Sequence, residues 1–148
     1  MTNSEDFQAR WAQFSAVTAK ANSLNKAIVF GALSVARITR VSVEFDGEGD
    51  SGQIENIGAH AGDTSVEFPA TTVSLYRARW QCEELIIQEM PLREAVETLC
   101  YDYLEETHGG WENNDGAFGE FHFGVAARTI DLEFHGRFTD TCTSNHTF

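Results

Sequence analysis

The strongest constraint on this chain is a pair of alternating segments near its C-terminus. Phe121, Phe123 and Val125 alternate with Glu120, His122 and Gly124. Ile130, Leu132, Phe134 and Phe138 then alternate with Thr129, Asp131, Glu133, His135 and Arg137. A period of two places successive side chains on opposite faces of a strand, so each segment has one apolar and one polar face. Ala126-Ala127 supplies a two-residue hairpin loop, although Gly or Asn is the usual choice there. This register sets Phe121 against Leu132, Phe123 against Ile130, His122 against Asp131 and Glu120 against Glu133. Apolar residues then face apolar ones throughout, which disfavours a one-residue slip. A sheet with one apolar face must be covered on that face, here by helices.

Helical spacing occurs in two other regions. Asn3 or Ser4 can cap a first helix, with Glu5 and Asp6 in its opening turn and Phe7, Trp11, Phe14 and Val17 or Thr18 at helical spacing. A break is expected near Asn22 to Asn25, followed by a second helical piece from Lys26 to Ala36. The clearest helix runs from Pro91 to Thr107, with proline at its first position. Leu92, Ala95, Val96, Leu99, Cys100, Tyr103 and Leu104 form its apolar stripe. Gly109-Gly110 ends it. After Ala36 the period changes to two. Strands are expected over Thr39–Phe45, Gln53–Ile57, Thr64–Phe68, Thr72–Tyr76 and Glu84–Gln88, with turns over Asp46–Gly52 and Gly58–Asp63. The expected fold is α+β: a largely antiparallel sheet of about five strands, with the N-terminal helices and one long helix packed on one face. With 148 residues the chain reads as a single domain, 1–148. It divides into a helical N-terminal arm (1–36), an α+β body (37–138) and a polar tail (139–148).

Charge divides the same way. The chain has 10 Lys plus Arg and 23 Asp plus Glu, a formal net charge of −13. Residues 1–43 hold two of the acids and five of the bases. Glu44 to Tyr76 holds seven acids and no base. Such acidity argues against direct nucleic-acid binding or an anionic membrane. The most apolar stretch, Ala27 to Ala36, is shorter than the roughly 20 residues that span a bilayer. Cys82, Cys100 and Cys142 show no CxxC spacing, and no signal-peptide pattern opens the chain. Reduced thiols and a cytoplasmic location are expected.

Several motifs bear on chemistry. Asp46-Gly47-Glu48-Gly49-Asp50-Ser51-Gly52 offers carboxylates at alternate positions of a Gly-rich turn. The calcium loop of an EF-hand would put glycine where Ser51 stands and Glu where Ile57 stands, so a solvated turn fits better. Gly49-Asp50-Ser51-Gly52 resembles the nucleophile motif of trypsin-like proteases. No histidine precedes it, however, and the chain is too short for that fold. The polar face of the C-terminal hairpin gathers Glu120, His122, Asp131, Glu133 and His135, which are candidate metal ligands or an acid/base set. An ordinary solvated sheet face remains the alternative. Trp111 and Glu112 lie in the loop after the long helix, as an anchor or as a partner contact. No P-loop, GxGxxG or HExxH is present, and no cofactor is implied.

Four stretches together resemble one family: FDGEGDSGQIE from Phe45, LREAVETLCYDYL from Leu92, EETHGGWENNDGAFGE from Glu105, and VAARTIDLEFHGRFTDT. The similarity is to an uncharacterised family of small acidic bacterial proteins often carried on proteobacterial plasmids and integrative elements. It extends from about Trp11 onward, with GGWENNDGA its most specific part. It implies an accessory role in mobile DNA, where genes often counter restriction, CRISPR or toxin systems, and it carries no catalytic residues.

The first functional expectation is a non-enzymatic interaction protein. Its acids Asp46, Glu48, Asp50, Glu94, Glu97 and Asp102, with Trp111 and Glu112, would engage a protein with a basic surface, in the manner of a nucleic-acid mimic. Two alternatives stand beside it. One is a metal-binding or hydrolytic protein using the hairpin's carboxylate and histidine face. The other is self-assembly, a homodimer through the N-terminal helices.

Overall fold

The computed structural model describes residues 3–49, 51–79, 84–113, 115–139 and 141–148, with side chains from Asp6 onward. In chain order the elements are α1 (Asn3–Val35), β1 (Arg40–Glu48), β2 (Ser51–Ala61), β3 (Thr64–Val66), β4 (Thr72–Arg77), β5 (Ile86–Pro91), α2 (Leu92–His108), β6 (Ala117–Gly124) and β7 (Thr129–Gly136). The chain is thus α+β, as expected. The main sheet has five strands in the order β3-β2-β1-β6-β7, paired antiparallel throughout. β4 and β5 do not join it but form a separate antiparallel ribbon.

The C-terminal hairpin has the expected register, with Phe121 opposite Leu132, Phe123 opposite Ile130, His122 opposite Asp131 and Glu120 opposite Glu133. Ala126-Ala127 forms the centre of the turn, and Arg128 N–H donates to the Val125 carbonyl at 3.2 Å. The left-handed conformation falls on Arg128 (φ 54°), one residue later than a glycine-based turn would place it. That is why two alanines suffice. The β1–β2 hairpin is longer than expected: strand pairing runs out to Glu48 and Ser51, with Gly49 at φ 58° in the turn.

The break expected at Asn22–Asn25 does not occur, and α1 is one helix of 33 residues. Asparagine disfavours helix interiors because its side chain competes for neighbouring backbone groups. Here Asn25 is fully buried and its amide is engaged elsewhere. Its Nδ2 donates to the Tyr76 carbonyl at 2.8 Å, and Tyr76 N–H donates to its Oδ1 at 2.7 Å. The side chain acts as a short piece of strand and ties the β4–β5 ribbon to α1. The arm is therefore only the first half of that helix. From Ala21 onward, Asn25, Val29, Phe30 and Leu33 are buried, whereas Phe7 and Trp11 are 59% and 55% exposed.

α1 ends in a Schellman motif. Ile38 N–H donates to the Leu33 carbonyl and Arg37 N–H to that of Ser34, both at 3.0 Å. Arg37 takes the left-handed position (φ 62°) that glycine normally fills. Leu33 and Ile38, the residues this motif brings together, are both buried. α2 buries Leu92, Ala95, Val96, Leu99, Cys100 and Leu104 of the expected stripe, and Tyr103 is half-buried. Pro91 caps this helix rather than opening it, and also ends β5. Among the described residues no helix is long and apolar enough to cross a membrane.

Two stability changes follow. Asn25→Leu leaves the Tyr76 N–H and carbonyl without partners, and should cost on the order of 2–4 kcal/mol by chemical denaturation. Arg37→Gly should raise stability by about 1 kcal/mol, because it removes the left-handed penalty and keeps the cap.

Candidate functional site

α2 and the second half of α1 share one hydrophobic core with the inner residues of β1 and β6, Val41, Val43, Phe45, Phe121 and Phe123. Alternation then puts Ser42, Glu44 and Asp46 of β1, Phe118, Glu120 and His122 of β6, and Asp131, Glu133 and His135 of β7 on the opposite face. Strand register aligns three of these acids: Glu44 pairs with Glu120, and Glu120 with Glu133. Neighbouring strands lie about 4.8 Å apart, so the three carboxylates form a row across the sheet.

A β-bulge adds a fourth acid. Between β1 and β2 the register moves from Glu44–Asn56 to Phe45–Ile54, leaving Glu55 unmatched. The Ile54 N–H at this irregularity is taken up by the Tyr101 hydroxyl at 2.8 Å. Bulges re-aim side chains, and Glu55 lines the same shallow basin as Glu44, Asp46, Phe118, Glu120, Glu133 and His135, a space of about 340 Å³.

Like charges directly opposite on a sheet repel, and only part of this repulsion is relieved. His122 Nε2 lies 3.0 Å from Glu120, and His135 Nε2 lies 3.0 Å from Glu133. Arg137 pairs with Asp46 at 2.9 Å, donates to the Gly47 carbonyl at 3.1 Å and lies over the Phe118 ring. His135 stacks on that ring from β7. Among the described residues no ion pair reaches Glu44 or Glu55.

The metal candidates Glu120, His122, Asp131, Glu133 and His135 do share this face. They are arranged as two separate Glu–His pairs with Asp131 opposite His122. Among the described residues no three ligating side chains converge closely enough to hold a metal ion.

The expected partner acids divide between two sides of the molecule. Asp46 is on the open face, and Glu48 is exposed at the end of β1. Asp50 lies outside the described residues. Glu94, Glu97 and Asp102 belong to α2, on the covered side, so they do not extend the acidic row. Glu94 is exposed, and Glu97 pairs with Arg93 one helical turn away at 3.5 Å. Asp102 is held by Arg77 through two contacts, 2.5 and 3.2 Å long, which couples α2 to β4. Glu44, Glu55 and Phe118 are not singled out by the sequence. The alternation with Asp46 points to Glu44, but the bulge that turns Glu55 outward has no signature in the sequence.

Trp111 is a packing anchor rather than an exposed contact; it is 8% exposed. Its indole lies across Gly47 and Gly52, which are paired in the β1–β2 hairpin. A Cβ on either glycine would fall 2.5 Å from a ring carbon. Glu112 Cβ closes on the same pair, at 3.1 and 2.8 Å from those positions. The indole and the Phe45 ring pack edge to face, with centroids 5.3 Å apart. Gly116 sits at φ 76° with its Cα turned onto the Gly47 carbonyl, which leaves no room for a side chain.

A second groove lies at the other face of β7. It measures about 440 Å³ and is lined by Phe121, Ile130 and Leu132, with Asn22 and Lys26 of α1 and Tyr103 and Glu106 of α2. Burial, followed by nearby Glu106, pushes the Tyr103 phenol up to about 12. Burial likewise pushes the Cys100 thiol well up, leaving it protonated and unreactive.

The fold and this face define an α+β protein with helices on one side of an antiparallel sheet and an open acidic surface on the other. The chain belongs to a family of unknown function (DUF6878), whose model matches residues 21–148. The match begins at Ala21, the first buried residue of α1 among the described side chains. No curated protein and no solved structure matches the chain.

Trp111→Ala should cost about 3–5 kcal/mol, and Gly52→Ala about 1–3 kcal/mol through overpacking, both measured by denaturation. The raised Tyr103 phenol also sets an alkaline limit. An acid whose folded pKa exceeds its unfolded value near 10 stabilises fully below that value and loses its contribution as pH rises towards 12. Tyr103→Phe should therefore flatten the fall in stability over that window, read from melting temperature against pH.

Proposed function

We propose that the protein is a non-enzymatic interaction protein whose open sheet face engages a basic surface on a protein partner. The observation that carries this reading is the Glu44–Glu120–Glu133 row with Glu55 beside it. One carboxylate per strand, about 4.8 Å apart, approaches the one charge per about 3.4 Å of a single nucleic-acid strand. A groove built for phosphates would accept such a row, and the net charge of −13 would speed encounter. The resemblance to small acidic proteins of plasmids and integrative elements supports a partner among nucleic-acid-handling or defence proteins. The protein would then act as an anti-restriction or anti-CRISPR type of inhibitor, working in the cytoplasm. The alternative of a metal-binding or hydrolytic site on the same face has less support, since its histidines are taken up pairwise by glutamates.

The combined variant Glu44→Gln, Glu120→Gln and Glu133→Gln tests the first reading. Removing like charges should leave the melting temperature equal or higher. Capture of a basic nucleic-acid-binding protein should fall in the variant, and wild-type capture should be competed by duplex DNA and weakened by salt. Capture that is unchanged by the three substitutions overturns the proposal.

A second reading, self-association through the first half of α1, is favoured by the exposure of Phe7 and Trp11. Light scattering of the protein against a Trp11→Ala variant decides it. A wild-type dimer that becomes monomeric in the variant supports it, and a wild-type monomer removes it.

A further inference from the structure

β7 ends the sheet, and its outer edge is paired with no strand among the described residues. Two backbone bonds fix which of its groups point outward. Val125 N–H donates to Thr39 on the β1 side, and Arg137 N–H donates to Gly116 on the β6 side. Antiparallel strands alternate these directions residue by residue. Thr129, Asp131, Glu133 and His135 therefore bond to β6, and the N–H and carbonyl groups of Ile130, Leu132 and Phe134 face the free edge. The side chains of these same three residues lie on the inner face and are only half-buried. Ile130 and Leu132 also line the groove of about 440 Å³ beneath the helices. On the outer face the edge strand carries Asp131 and Glu133, both exposed.

Resting on the acidic-interaction reading, we infer that β7 receives an extended segment of a partner as an additional antiparallel strand, with basic and aliphatic residues alternating along it. Each type of group on the edge selects one feature of that segment. The free backbone groups bond to the segment's main chain, as in other strand-addition complexes. Its aliphatic side chains lie opposite Ile130, Leu132 and Phe134 and enter the groove. Its lysines or arginines lie opposite Asp131 and Glu133. In the new ladder those are the non-hydrogen-bonded positions, where opposite Cα atoms approach to about 4.5 Å and side chains lie closest. A second copy of β7 is a poorer occupant. The two registers that keep most of the strand paired set Asp131 against Glu133, or Glu133 against itself.

The test uses the full chain and a synthetic peptide of alternating lysine and valine, eight residues long to match β7. Hydrogen exchange of the free protein should show fast amides at Ile130, Leu132 and Phe134, and the peptide should protect these three. The hydrogen-bonded positions of the new ladder are the peptide's valines. N-methylation of the valine amides should therefore weaken binding roughly tenfold to a hundredfold. N-methylation of the lysine amides should leave it unchanged. Asp131→Asn and Glu133→Gln should each weaken binding by about two- to fivefold.

Salt-sensitive binding of the peptide without protection of the three amides, or with equal response to both methylation patterns, overturns strand addition and leaves the acidic-face reading standing. Failure of any lysine peptide to bind overturns both. Protection of the same amides in the free protein, rising with its concentration, assigns the edge to a second copy and also overturns the inference.

Discussion

The indole of Trp111 rests on two glycines that face each other across the β1–β2 hairpin, and the positions of three segments follow from that contact. A tryptophan can lie flat against a sheet only where the strands carry no side chains, and Gly47 and Gly52 provide such a place. The loop after α2 is thereby pinned to the end of the sheet. The chain then turns at Gly116 against the Gly47 carbonyl and enters β6 in register with β1. Phe45 completes the arrangement, with rings of Trp111, Phe121 and Phe134 packed round it. FDGEGDSG and GGWENNDGAFG, which stand out in the sequence as motifs, are thus two halves of one packing joint. Their glycines and tryptophan need no ligand to explain them.

What the sequence showed and what it hid divide along the range of the interactions. The register of the C-terminal hairpin is legible from Glu120 onward because its alternation is local and the opposite face of each strand agrees with it, although β6 begins earlier, at Ala117, and β7 ends at Gly136. The stripe of α2 was legible for the same reason. The continuity of α1 through Asn22–Asn25 is not legible, because the group that engages the Asn25 amide, the backbone of Tyr76, lies 51 residues away. The separate β4–β5 ribbon is hidden with it, since that ribbon is placed by α1 and not by neighbouring strands. The candidate site was half legible. Asp46, Glu120 and Glu133 follow from parity, but Glu55 is turned outward by a register shift whose stray N–H is taken up by Tyr101, 47 residues later.

The acids of α2 show how composition misleads about surfaces. Glu94, Glu97 and Asp102 look like part of one acidic body, yet they lie on the helical side of the sheet. Asp102 makes a two-point contact to Arg77 that joins α2 to the ribbon, and Glu97 answers Arg93 within its own helix. Removing either partner of a half-buried, bidentate pair strands the other. That gives the Asp102 carboxylate a structural reason to be acidic. The row on the open face has no such reason, because nothing in the fold is held by setting Glu44 against Glu120.

An open row of like charges opposes folding, and it also governs what can meet the edge of the sheet. Long strands with half-buried apolar faces invite pairing with other chains, and outward charges are a common means of preventing it. On β7 the groups that invite and the groups that exclude are interleaved. Ile130, Leu132 and Phe134 offer backbone and apolar surface, while Asp131 and Glu133 between them repel any acidic strand, including a second copy. Burying the acids would remove the discrimination, and covering the apolar residues would remove the attraction. Keeping both on one edge is what an edge strand requires if it is to stay unpaired alone and still accept a basic partner.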